Sequence, residues 1–145
     1  MAKEIIFGVL DGIGDSAIAY PLMLQLRPHL SEPQFTAYCR LASIQHDYKI
    51  YGAFDEQVCL GLLGVRHIVD LLHGPHLYID DLVVEEKFRS QGVGASLPRL
   101  AEQLAVDAGA NGVRLCTGID YWPARRFYEN EGWEPRAVAY KKGFP

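Results

Sequence analysis

The chain has 145 residues, 49% of them apolar and 22% charged, with a formal net charge of −4. That length suits one domain with a single sizeable core, burying about 68–70% of its unfolded surface. The acidic balance, without any basic run, argues against a nucleic-acid partner, and no apolar segment reaches the roughly 18 residues of a membrane span.

The first residues, Met1-Ala2-Lys3-Glu4, have no signal-peptide layout. Cys39, Cys59 and Cys116 are odd in number, far apart and without C-x-x-C spacing. They read as free thiols of a reducing cytoplasm. Ile5 to Val9 is a short apolar run that predicts a buried first strand. Asp11-Gly12-Ile13-Gly14-Asp15 turns, and Asp15 or Ser16 caps a helix to about Leu26 that Pro21 threatens to break. Ser31 with Gln34 has the capping-box pattern, so a second helix should run to about Gln45. Within it Phe35, Tyr38, Cys39, Leu41 and Ala42 recur at helical spacing, which predicts core contacts.

Tyr48 to Phe54 and Val58 to Val65 read as a hairpin around Asp55-Glu56-Gln57. His73-Gly74-Pro75 marks a break before a long central strand, Leu77 to Val84. The helix expected from Gly92 to Ala108 places Val93, Leu97, Leu100, Ala101, Leu104 and Ala108 on one face, with Gly109 beyond its end. Pro98 cannot donate to the Gly94 carbonyl, and an interior proline costs about 3 kcal/mol, so a kink or frayed first turn is expected. Val113 to Cys116 is a short buried strand. Pro123 starts a helix that Gly132 ends, and Trp133 to Tyr140 reads as a last strand or hairpin. The order β-α-α-β-β-β-α-β-α-β, without repeats or linker, describes one α/β domain over residues 1–145.

The chemistry centres on Arg89-Ser90-Gln91-Gly92-Val93-Gly94, where a strand feeds a glycine-rich turn and then a helix. Amides at a helix N-terminus lack intrahelical acceptors, and glycines let a phosphate approach the main chain. A Walker loop would need Gly-Lys-[Ser/Thr], but Gly94 is followed by Ala95-Ser96. A dinucleotide fingerprint would need a third glycine and an early βαβ unit. R-x-x-G-x-G is the pattern that fits, and a second pattern follows it. Ala124-Arg125-Arg126-Phe127-Tyr128-Glu129-Asn130-Glu131-Gly132-Trp133 has the form A-x-x-F-Y-x-x-x-G-[F/W]. Together with Tyr78-Ile79-Asp80-Asp81-Leu82-Val83-Val84, these motifs resemble those of the GNAT acetyltransferase superfamily over about Leu77 to Trp133.

That resemblance implies an α/β GNAT acyl-CoA N-acyltransferase fold, with a mixed central sheet flanked by helices. It also implies direct acetyl transfer from acetyl-CoA, as co-substrate, to a primary amine of a small molecule or a protein. Leu82, Val83 and Val84 would bind the pantetheine arm like an added strand. The amides of Arg89, Ser90, Gln91, Gly92, Val93, Gly94 and Ala95 would cradle the pyrophosphate, and Thr117 could offer a hydroxyl. Tyr128 would serve the departing thiolate. Asp80 and Asp81 resemble the acidic pair of some small-amine members. They alternate along the strand, so at most one is expected to face the acceptor, with Asp81 favoured and Glu85 and Glu86 weaker candidates. Tyr121 stands where the family often has a coenzyme-contacting asparagine, with Trp122 beside it. Many members dimerise, so a homodimer is compatible with the resemblance. Two further readings are a non-catalytic acyl-CoA-binding regulatory module and an acyltransferase with another acyl donor. His73 and His76 bracket Gly74-Pro75 without a positioned carboxylate in the sequence, and no metal is expected.

Overall fold

The computed structural model describes residues 4–145. Met1 to Lys3, on which the reading of the N-terminus partly rests, lie outside the described residues. The chain divides into two compact units, one running to Arg114 and the other from Leu115 to Pro145.

The first unit begins β1 (Ile6–Leu10), α1 (Ser16–Leu26), α2 (Glu32–His46) and β2 (Lys49–Asp55). β3 (Val58–Asp70), β4 (Gly74–Val84) and α3 (Val93–Asp107) follow, and β5 (Val113–Leu115) crosses into the second unit. The strands form one mixed sheet in the order β1-β2-β3-β4-β5, and the first four pair antiparallel with their neighbours. Leu60, Leu62, Leu63 and Leu77 of the sheet, Phe35 of α2 and Leu97 of α3 are among the fully buried side chains.

Several boundaries move for physical reasons. β1 is an edge strand, and only Leu10 of it is buried while Ile6 and Val9 face solvent, so the expected buried first strand is corrected. β3 runs past Val65 because its ladder with β4 continues to Asp70↔Gly74. The break expected at His73 to Pro75 is therefore the tip of a long hairpin, with Pro75 inside β4. The Ser31–Gln34 capping box opens α2 as expected. Only Phe35 of its predicted core residues is buried; Tyr38 and Leu41 are exposed, which corrects the reading of that stripe.

Neither internal proline ends its helix. α1 continues through Pro21 between buried Ala19, Leu22 and Met23, and α3 continues through a buried Pro98 beside Leu97. Core packing outweighs the missing hydrogen bond. α3 closes with Gly109 at φ 71, Gly109 N–H donating to Val106 O and Ala110 N–H to Ala105 O. This is the paired Schellman bonding that a left-handed glycine permits.

The second unit contains α4 (Trp122–Asn130). The last strand expected over Trp133 to Tyr140 does not form. From Glu134 onward every residue is exposed, so an extended segment there gains neither burial nor a ladder among the described residues.

Candidate active site

The loop between β4 and α3 is built from backbone. A 3₁₀ turn (Glu86–Phe88) leads to Ser90 at φ 67 and Gly92 at φ 85, both left-handed. A left-handed residue with a Cβ is strained by about 1–2 kcal/mol, which is why glycine suits the Ser90 position. Gly92 caps α3 without a side-chain hydrogen bond. Ser96 N–H takes the Gly92 carbonyl, while the amides of Val93, Gly94 and Ala95 find no acceptor among the described residues. A Cβ built on Gly92 meets nothing within 4 Å, and one on Gly94 meets only Val84 Cγ2, at 3.7 Å. The cradle is thus open above its bare N–H groups, as an oxyanion requires. Arg89 lies exposed and folds back toward the Val84 carbonyl at 3.4 Å.

Val83 pairs with Leu62 and Val84 with Gly61 on the β3 side. Gly61 is needed there, since a Cβ would lie 2.8 Å from the Val83 carbonyl oxygen. On the other side β5 has three residues against eleven in β4, so it cannot cover the whole β4 edge. Part of that edge remains for an added strand.

Asp80 and Asp81 do not obey simple alternation. Gly64 pairs with Asp81 and Val65 with Ile79, leaving Asp80 as an extra residue in a β-bulge. Both carboxylates consequently line one cavity of about 330 Å³, shared with Arg27, Tyr48 and Arg66. The expectation that only one of them could face this space is corrected.

Asp81 is the more engaged carboxylate. Its Oδ1 accepts from Arg27 Nε and Nη2 at 3.2 and 3.1 Å, and its Oδ2 from the Tyr48 hydroxyl at 2.6 Å. Among the described residues the Asp80 carboxylate accepts from Arg66 alone, at 2.5 and 2.8 Å, while its backbone carbonyl accepts from Arg27 Nη2. Burial and the Asp81 charge push the Tyr48 hydroxyl well above its ordinary pKa. Burial, reinforced by Asp81 and Asp11, pushes the neighbouring Cys39 thiol up to about 11. Gly64 makes the cluster possible, because a Cβ there would collide with the Tyr48 hydroxyl and the Asp81 carboxylate.

In the second unit, Tyr128 is held by the end of its own helix. Gly132, at φ 91, donates to Glu129 O, and Trp133 N–H donates to Tyr128 O. The Trp133 ring meets the Tyr128 ring at 5.5 Å, the apolar contact that accompanies a Schellman end. The F-Y-x-x-x-G-W spacing therefore encodes a clamp on Tyr128. Burial holds its hydroxyl above the usual tyrosine pKa.

Residues 17–133 match the profile of the acetyltransferase (GNAT) family. This chain belongs to the GNAT family. It is 30% identical over 127 residues to the uncharacterized N-acetyltransferase YhdJ of Bacillus subtilis, covering 87% of this chain and 89% of that protein. The aminoglycoside N-acetyltransferase AAC(6')-Iy, solved with CoA, superposes with a TM-score of 0.81 at 17% identity, covering 98% and 97% of the two chains. Glucosamine-6-phosphate N-acetyltransferase of Arabidopsis thaliana gives 0.76 at 20% identity, covering 99% and 100%. At those identities the two structures establish the shared GNAT fold, and family membership with the YhdJ match identifies an N-acetyltransferase.

Other positions of this GNAT chain fall outside these clusters. Thr117 lies just beyond β5 and donates to the Gly118 carbonyl. Tyr121 and Trp122 are exposed, with the Arg125 guanidinium over the Trp122 ring. Glu85 caps the 3₁₀ turn through Lys87 N–H, and Gln25 donates to it. His73 and His76 do have a carboxylate partner, Asp70, contrary to the sequence reading. The Arg114 guanidinium donates to two members of this group, His76 Nε2 and Asp70 Oδ2.

The sequence reading missed Arg27, Tyr48 and Arg66. Arg27 lies one residue beyond the first predicted helix and Arg66 one beyond the predicted strand, so periodicity gave them no role. Among the described residues, no helix is long and apolar enough to cross a membrane.

Proposed function

We propose that the protein is an acetyl-CoA-dependent N-acetyltransferase whose acceptor is a small primary amine entering the cavity beside Asp80 and Asp81. The observation that carries this reading is the open cradle of bare Val93, Gly94 and Ala95 amides behind Gly92. It suits a pyrophosphate, with the pantetheine arm along Leu82 to Val84. The family match spans both compact units, which supports treating them as one catalytic domain. Cys39 and Cys59, free thiols among the described residues, suit a reducing compartment such as the cytoplasm.

In the reaction the amine nitrogen attacks the thioester carbonyl, the C–N bond forms and the C–S bond breaks. The amine gives up a proton and the leaving thiolate takes one. A lysine-like amine is neutral to only about one part in a thousand at pH 7, so a nearby carboxylate helps. An ionised carboxylate has about four acceptor sites. Asp81 already takes three bonds and is 14% exposed, whereas Asp80 takes two and is 25% exposed. Asp80 is therefore the carboxylate that receives the amine, and Asp81 holds the cavity in shape. The raised pKa of Tyr128 suits a hydroxyl that donates a hydrogen bond to the developing thiolate rather than one that gives up its proton early.

The experiment is thiol release from acetyl-CoA against a panel of primary amines, as a function of pH. Amine-dependent release is expected, falling toward acid pH, and Asp80→Asn should alter that acid limb while Asp81→Asn should not. Tight acetyl-CoA binding without release by any amine would instead mean a non-catalytic acyl-CoA-binding module.

A further inference from the structure

The acceptor cavity is balanced in charge rather than acidic. Two arginines, Arg27 and Arg66, face two aspartates, Asp80 and Asp81, across about 330 Å³. This is the lower end of the roughly 300–1,000 Å³ range of small-molecule sites, so the acceptor is compact. Although the whole chain is −4, a polycation entering this cavity meets no net negative field.

Both arginines are only partly spent. Arg27 uses Nε and Nη2, and Arg66 also uses Nε and Nη2. The Nη1 group of each has no acceptor among the described residues. Arg27 is the more open, at 42% exposed against 27% for Arg66. A planar guanidinium with a free edge is the side-chain group best suited to a carboxylate or phosphate. If the amine is received by Asp80, Arg27 is left as a second, oppositely charged anchor in the same cavity.

We infer that the acceptor is an ampholyte, a small molecule carrying both the primary amine that is acetylated and an oxyanion, carboxylate or phosphate, that binds Arg27. The inference rests on the acetyl-transfer reading above. It explains why a chain that must receive an amine keeps two arginines beside its two carboxylates. A pocket built for the amine alone would be disfavoured by them through like-charge repulsion.

The test compares acceptors that differ only in the oxyanion. Free lysine is measured against cadaverine, which is the same chain without the carboxylate. Phosphoethanolamine is measured against ethanolamine in the same way. The quantity read is the ratio of kcat/KM within each pair, which cancels any general loss of activity. The parent should favour the anionic member of at least one pair by tenfold or more, and the pair affected says whether carboxylate or phosphate is recognised. Arg27→Gln should bring that ratio toward one, mainly through KM of the anionic member, and Arg27→Lys should restore part of it. Ratios at or below one in both pairs, or an unchanged ratio in Arg27→Gln, would overturn the inference while leaving acetyl transfer standing. Absence of thiol release with every amine would instead remove the acetyl-transfer reading itself.

Discussion

On the proposed reading, the glycine loop and the aspartate–arginine cavity solve recognition in opposite ways. The loop from Ser90 to Ala95 offers main-chain amides and keeps side chains away. Two of its residues are left-handed, and Gly94 leaves its space open. The cavity offers side chains almost exclusively. Arg27, Tyr48, Arg66, Asp80 and Asp81 come from α1's end, the α2–β2 junction, β3 and β4, and they hold each other by two ion pairs and the Tyr48 hydrogen bond. A ligand feature shared by every acyl-CoA can be read by backbone, which any sequence with the right glycines supplies. A variable acceptor needs chemistry that side chains alone carry.

The comparison can be tested through the parts each region should not affect. The proposed function gives stabilisation of the leaving sulfur to Tyr128, apart from the loop that binds and the cavity that orients. Tyr128→Phe should slow single-turnover acetyl transfer by about 10²–10³, the usual loss for one donor to a developing anion. Acetyl-CoA affinity should stay near the parent value, and the Trp133 contact should keep the helix end intact. A Phe variant as fast as the parent would leave both regions carrying the chemistry themselves.

A smaller effect probes the cavity as a prebuilt network. Tyr48→Phe removes the donor to Asp81 Oδ2 and should cost about 1–3 kcal/mol in denaturant unfolding. The pH dependence has a definite sign. The folded-state pKa of Tyr48 is raised above 10, so its share of stability is present below pH 10 and is lost as pH rises beyond it. Cys39, raised from 9.0 to about 11, acts in the same direction from pH 9 upward. The Phe variant should lose the Tyr48 share of the alkaline decline and keep the shares of Cys39, Cys59 and Tyr128, whose pKa values burial also raises. A variant with the parent's full decline would place that titration elsewhere.

The same contrast explains what was legible in the sequence. The glycine loop and the F-Y-x-x-x-G-W run are contiguous, because a helix start and a Schellman end are local structures whose residues are neighbours in the chain. The cavity is non-local. Its Asp80 and Asp81 could be named, but their common orientation depends on a one-residue slip between Gly64–Asp81 and Val65–Ile79. Such a bulge leaves no period-2 mark, so alternation placed the pair on opposite faces. Arg27 and Arg66 were invisible because each sits just outside a predicted element. The sheet core was legible from its apolar runs. The tail beyond Trp133 was misread because every residue from Glu134 onward is exposed, so a strand there would bury nothing.

The division of labour is tested most directly by calorimetric titration of acetyl-CoA into the parent, Gly94→Val and Asp81→Asn proteins. The added Cβ at Gly94 meets only ordinary contact with Val84, so the fold should survive while the cradle is blocked. Ligand at 100 times its dissociation constant should stabilise the parent by about 2.7 kcal/mol, and Gly94→Val should lose that gain. Asp81→Asn should keep the parent's acetyl-CoA affinity. Undiminished affinity in a folded Gly94→Val protein, or its loss in Asp81→Asn, would contradict the assignment of coenzyme to the loop and acceptor to the cavity.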